Sequence, residues 1–269
     1  MSPKSTLGLL VDCSAQFQTH DFPGSEFVRI FEPKAYPNES VKFDFVFLKS
    51  IIQTSLLDFN KIILLTHDKR LSPLFESIEK LLSDPDLKGS VTLIDSSTFG
   101  PGLGHIIEDA AAVLVNGTTL ELLESRIRTK IHATFAILLT NRLTERLNSS
   151  LTMRTGQKNK SQTDQTQILN IDSEAVTFVS TIKNQKHILD ELLEFANEFE
   201  RPRFISLLQS KLPVVDDTRH FHAAFDGLFP TIRFFERKAN AMNSRLLGDH
   251  FLALSLSETI QLQNDDSAQ

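Results

Sequence analysis

The sequence predicts an α/β fold: an N-terminal Rossmann-like domain built on a parallel sheet, followed by an α+β second domain. Three observations carry this. Short β-like runs at residues 7–11, 26–30, 61–65 and 91–94 each end in a polar turn. Helix-length segments with an apolar face separate or follow several of these runs, and alternation at that spacing builds a parallel sheet with helices outside it. After about residue 131 the alternation lapses, and strands and helices follow one another without strict order, as in α+β chains.

The first strand, 7–11, runs into Asp12, Cys13 and Ser14, where an Asx-type bond back to the backbone is the expected role of the carboxylate. After the second strand, Ser40 is placed to cap a helix whose apolar face is Phe43, Phe47, Ile51 and Ile52. Strand 61–65 leads to Ser72-Pro73, a helix start with Ser at the cap and Pro in the first turn, and Phe75, Ile78 and Leu82 face inward. Strand 91–94 leads to Asp95, Ser96 and Ser97, a turn with Gly100, Gly102 and Gly104, and an Ala-rich helix from Ile106. Asp95 and Ser96 carry the same turn role as Asp12 and Ser14. Glycine permits positive φ and close backbone approach, and the end of such a strand is where ligands sit in open α/β sheets. Thr118 with Glu121 forms a capping box ahead of Leu120, Leu123, Ile127 and Ile131.

In the second half, 134–139 reads as a strand and 152–167 as a polar, mobile loop. Strands at 167–171 and 174–180 are joined by a tight Asp172-Ser173 turn. Residues 188–199 form an amphipathic helix with Leu189, Leu192, Leu193 and Ala196 on one face. A helix between His220 and Leu228 and strands at 231–235 and 250–257 complete it. The expected division is residues 1–130, residues 131–260 and a disordered tail over 261–269.

Composition bounds the function. A chain of 269 residues can bury one large core or two modest ones. Net charge is −6 with no basic stripe, which argues against nucleic acid, because phosphate contacts need clustered Lys and Arg. A single cysteine, Cys13, excludes an internal disulfide and fits a reducing compartment. No apolar stretch approaches spanning length, so a soluble, cytoplasmic protein without membrane insertion is expected. Phenylalanine is abundant, 21 against one Tyr and no Trp. Rings without a polar handle suit an apolar tunnel for a chain-like ligand, and they equally suit a Phe-rich core.

Four segments carry a resemblance. They are "LLVDCSAQF" near the start, "ILLTHDKRLSPLFESI", the stretch from Leu93 to Ile127 that opens "LIDSSTFGPGLG", and "LLGDHFLALSLS" near the end. In this order they resemble the motifs of the DegV family of bacterial fatty-acid-binding proteins, which includes the binding subunit of fatty acid kinase. The resemblance implies a DegV-like first domain and a long-chain fatty acid held between two domains. It implies that Ser72 lies at the ligand carboxylate and that His250 holds the head group from the second domain. It also implies that a separate fatty acid kinase receives the carboxylate, so that the chain itself is not an enzyme. Departures accompany the match. The family's Thr-Ser-Gln-Pro has no counterpart between Phe31 and Lys61, its Leu-Ser-Gly-Thr is Leu71-Ser72-Pro73-Leu74, and its Gly-Pro-Gly is Phe251-Leu252-Ala253. The alternative is a structural or regulatory protein that keeps this fold without its lipid pocket.

Other chemistry finds little support. Cys13 has no base supplied by a recognisable motif. "DDTRHFH", Asp216 to His222, places His220 and His222 two apart, which on a helix points them in different directions. The "GPGLG" glycines lack the Lys-Ser/Thr of a phosphate loop and the spacing of a dinucleotide fingerprint. No catalytic residue, metal ligand or cofactor is therefore assigned.

Overall fold

The computed structural model describes residues 5–33, 43–153, 165–183, 185–210 and 218–259. In chain order the first elements are β1 (Ser5–Asp12), β2 (Val28–Phe31), α1 (Phe45–Asp58), β3 (Phe59–Thr66) and α2 (Leu74–Leu81). Next come β4 (Val91–Asp95), α3 (Gly100–Val115), α4 (Leu120–His132), β5 (Thr134–Thr140), α5 (Glu145–Ser149) and β6 (Leu151–Met153). The chain continues through β7 (Thr166–Ile171), β8 (Val176–Ile182), α6 (Ile188–Asn197) and β9 (Pro202–Gln209). It closes with α7 (Arg219–Leu228), β10 (Phe234–Lys238), α8 (Ala241–Leu247) and β11 (Phe251–Glu258).

Two sheets result. The first is fully parallel in the order β2-β1-β3-β4, with Val11 opposite both Ile30 and Leu65. The second has seven strands in the order β10-β9-β11-β5-β7-β8-β6, antiparallel through its middle and parallel at its two outer pairs. The α/β class with an N-terminal parallel sheet and a later mixed sheet is thus as the sequence predicts.

The core explains why α3 is so apolar. One side packs Ile106, Ile107, Ala110 and Ala111 against Leu9, Ile63 and Ile94 of the first sheet and against Leu123 and Ile127 of α4. The same helix also contacts β9, β11 and β5 of the second sheet. Phe99, just before it, is fully buried among Leu138, Leu208, Met242 and Phe251. Each buried Leu, Ile, Met or Phe side chain stabilises the fold by about 1.5–3 kcal/mol on burial. The opposite faces are covered by α1 and α2 on the first sheet and by α6 and α7 on the second.

Several local expectations are corrected. The glycine-rich segment is the first turn of α3 rather than a turn before it. Gly100 sits at φ +52°, and Pro101 occupies the early position a helix tolerates. Asp44 caps α1 through a bond from the Phe47 amide (3.0 Å), and Leu48, Ile52 and Ser55 are its buried positions; Ser40 lies outside the described residues. Thr119, not Thr118, caps α4 by accepting from the Leu122 amide. Thr152 and Met153 belong to β6, while Thr166 and Gln167 belong to β7. Residues 154–164 between them, and the tail from 260, lie outside the described residues. The 26–30 run is a 3-10 turn at Ser25–Phe27 followed by β2, and the 231–235 strand falls at Phe234–Lys238. Strand β9 and helices α5 and α8 were not foreseen. Pro202 is at the first residue of β9, where a strand tolerates proline.

Candidate functional site

Parallel strands deliver their carboxyl ends to one edge, and here the ends of β1, β3 and β4 bring Asp12, His67 and Asp95 together. Asp12 is completely buried. Its Oδ1 accepts from the Ser14 amide (2.8 Å) and its Oδ2 from the His67 amide (2.6 Å). His67 Nδ1 lies 3.1 Å from the same Oδ2, a close contact rather than a linear hydrogen bond. On its other side, His67 Nε2 is hydrogen-bonded to the Ser72 hydroxyl. Burial pushes the Asp12 carboxyl upward, but the facing His67 and the Ser14 bonds outweigh it and hold the group below the usual carboxylate range.

Ser72 precedes the cap of α2 instead of forming it. Pro73 occupies the cap position, and Ser72 Oγ accepts from the Leu74 amide at 3.3 Å. Asp95 Oδ1 accepts from the Ser97 and Lys69 amides, each at 3.1 Å, and burial with Asp68 nearby raises its pKa. The Ser96 hydroxyl bonds the Thr98 carbonyl at 3.2 Å. Asp12, Asp95 and Ser96 thus fasten turns, while the Ser14 amide completes the first of them.

The two sheets meet at this edge through side chains that bond backbone. Asn243 donates to the Ser14 carbonyl (2.8 Å) and Asn240 to that of Cys13 (2.7 Å). Arg146 donates to the Lys69 carbonyl (2.9 Å) and pairs with Glu76. Arg70 forks onto buried Asp68 and reaches the Asp172 carbonyl (2.6 Å). Such bonds fix the spacing between the sheets without filling the space beside Ser72.

That space is a cavity of about 910 Å³. Pro33, Phe43, Leu71, Ser72 and Pro73 line it from the first sheet's side. Thr144 to Arg146 and Ser149 of the α5 region, with Met242, Arg245 and Leu246 of α8, line it from the second. Two guanidiniums, Arg146 and Arg245, stand against one carboxylate, Glu145. The lining is otherwise largely apolar, and its size is that of an ordinary small-molecule site. His250 lines a different cavity, of about 830 Å³, with Asn141, Arg142 and Leu143; Thr144 and Glu145 border both. The structure therefore places Ser72 and His250 in adjoining cavities rather than in one.

The fold resembles that of solved structures along nearly the whole chain. A fatty acid binding DegV family protein from Streptococcus agalactiae matches with a TM-score of 0.74 at 15% identity, over 95% of this chain and 100% of that one. The chain has the DegV fold. DegV from Bacillus subtilis, a fatty acid binding protein, matches at 0.72 and 14% identity, over 95% and 100% of the two chains. The Fak B3 protein of Streptococcus pneumoniae, loaded with linoleic acid, matches at 0.69 and 12%, over 94% and 100%. No family model matches the sequence, and no curated protein matches it significantly.

Within the DegV fold the remaining candidates take structural places. Burial pushes the Cys13 thiol up to about 12, with Asp12 and Glu32 adding to it, so the nucleophilic thiolate is suppressed at neutral pH. His220 and His222 lie on α7, and His222 faces Glu236 at 3.5 Å; Asp216 and Asp217 lie outside the described residues. Among the described residues no group of three metal-ligating side chains converges, and no helix is long and apolar enough to cross a membrane. Sequence reasoning missed His67, Arg146 and Arg245. His67 had a usable signal: it follows β3 directly, and β3 lies beside β1, whose last residue is Asp12.

Proposed function

We propose that the chain binds a long-chain fatty acid in the 910 Å³ cavity, between domains formed by residues 1–130 and 131–260, in the cytoplasm. The observation that carries this is a largely apolar cavity, walled from both sheets, with one buried hydroxyl, Ser72, and Arg245 on its lining. A carboxylate there can take charge-assisted hydrogen bonds, which exceed neutral ones in strength. His250 flanks the head group from the adjoining cavity, behind Thr144 and Glu145. The free acid undergoes no reaction on the protein, and its carboxylate is presented to a separate fatty acid kinase. The fatty acids named for the structures of this fold support the ligand class. An open cavity, where Phe and Leu side chains could have filled the space, favours this reading over a protein that has lost its pocket.

Native mass spectrometry with lipid extraction tests it, comparing wild type with a Ser72→Ala/His250→Ala double variant. A co-purifying or added fatty acid that the double variant loses is the expected result. Retention by both proteins would keep the cavity but remove these two residues from the head-group site. No binding by wild type, even with fatty acid added, would sink the reading.

A further inference from the structure

The Ser72 hydroxyl has one proton, and its neighbours decide where that proton points. The Asp12 carboxylate beside His67 Nδ1 favours the tautomer with hydrogen on that nitrogen, which leaves Nε2 as an acceptor facing Ser72. The Leu74 amide donates to Ser72 Oγ from the other side. The hydroxyl is thus polarised toward a buried base, and that base is in turn oriented by a buried acid. A purely structural serine–histidine contact would have no need to face open space, yet Ser72 lines the large cavity.

We propose that Ser72, His67 and Asp12 form a nucleophilic triad that cleaves long-chain acyl esters and leaves the free acid in the cavity. The inference rests on the acyl-chain reading given above and extends it, since an ester is a substrate for this chemistry and the free carboxylate is not. Ser72 Oγ attacks the ester carbonyl carbon as its proton passes to His67 Nε2. The intermediate collapses, the carbon–oxygen bond to the leaving group breaks, and the alcohol departs with the proton from His67. Water, deprotonated by His67, then attacks acyl-Ser72; the bond to Ser72 breaks and the hydroxyl recovers the proton. Asp12 is the positioning residue, holding the ring and stabilising the imidazolium. The first turn of α2, which begins at Leu74 directly after Ser72-Pro73, holds backbone amides that an α-helix leaves without intrahelical partners. His67 Nδ1 stands 3.1 Å from Asp12 Oδ2 without a well-aligned bond, and such catalytic bonds often align only when substrate is bound.

The test uses the full chain, stripped of lipid, with a long-chain alkyl fluorophosphonate and with p-nitrophenyl decanoate. Expected are one covalent adduct per chain, mapped to Ser72, and ester turnover that falls by about 10³-fold in Ser72→Ala and in His67→Gln. Asp12→Asn, checked by thermal unfolding, should lower kcat while KM stays within about twofold, a split that general loosening of the site would not give. Wild-type labelling needs no variant and decides the matter if His67→Gln or Asp12→Asn fails to fold. No adduct on wild type, or an adduct retained by Ser72→Ala, overturns the triad. Fatty acid binding by the same wild-type sample, read by native mass spectrometry, separates that outcome from failure of the carrier reading.

Discussion

Asp12 and His67 are 55 residues apart in sequence, yet one carboxylate oxygen of Asp12 accepts the His67 amide at 2.6 Å and lies 3.1 Å from its ring. This arrangement follows from the parallel pairing of β1 with β3, which sets Val11 opposite Leu65 and brings the last residue of β1 beside the residue that follows β3. Asp12 holds two backbone amides and faces the His67 ring through the same two oxygens.

Asp12→Asn should therefore destabilise the fold at neutral pH. The amide places a donor against an N–H group that needs an acceptor, at a cost of about 1–3 kcal/mol. The pH dependence has a definite sign. The folded pKa lies below its ordinary 3.8, so the stabilisation is present above that value and is lost as pH falls through the folded pKa. Urea unfolding of both proteins from pH 7 to pH 2.5 should show the gap narrowing only at the acid end. A gap that stays constant throughout would contradict the assignment.

Two glycines should respond oppositely to alanine. A Cβ on Gly104 would lie 2.1 Å from the Gln16 carbonyl oxygen, and neither backbone can yield without moving α3 from the turn after β1. Gly104→Ala should cost at least about 1–3 kcal/mol, seen as a lower Tm. Gly227, in α7, has nothing within 4 Å of such a Cβ. Gly227→Ala should be neutral or stabilising by up to about 1 kcal/mol, because alanine is the better helix former. A Tm drop at Gly227 equal to that at Gly104 would refute the steric account.

The parallel half was legible because its two central strands, β1 and β3, carry apolar runs closed by polar residues, the pattern a strand buried on both faces must have. Asp12 and Asp95 stood out as polar groups at the ends of such runs, and Ser72 as the Ser of a Ser-Pro helix start. His67 did not, since its role depends on which strand lies beside which, and one-dimensional patterns do not state neighbours. Strand β9 was lost because Arg201 before it and Pro202 and Arg203 at its start look like loop chemistry, although the strand's remaining positions are buried between β10 and β11. Helices α5 and α8, five and seven residues long, are too short to display a helical period, yet they wall the cavity. The polar end of the site was thus more readable than its apolar wall.

Filling the cavity from its exposed rim should weaken ligand uptake without harming the fold. Ser149 is exposed at the end of α5 and lines the cavity, so Ser149→Trp adds bulk there without opening the core. Displacement of a fluorescent fatty acid should give a Kd at least about tenfold weaker, about 1.4 kcal/mol, with stability unchanged within about 0.5 kcal/mol. Unaltered affinity would move the acyl chain elsewhere, with the His250 cavity the next place to block.

His105 supplies a test of acid sensitivity remote from that pocket. Its ring stacks on Phe204 at 4.2 Å between centroids, and burial, with Lys130 nearby, pushes its pKa down to about 3. The unfolded histidine titrates near 6.5. Between these values the unfolded chain takes up a proton that the folded one refuses, so stability is full above about 6.5 and falls as pH drops toward 3. Each unit of difference is worth about 1.4 kcal/mol, making the total several kcal/mol. His105→Phe keeps an aromatic ring against Phe204 and removes the titration. Its stability should therefore fall less steeply than that of wild type between pH 6.5 and pH 4, a difference that paired urea titrations measure directly. Parallel curves across that range would mean that the folded state accommodates a protonated His105 despite its burial.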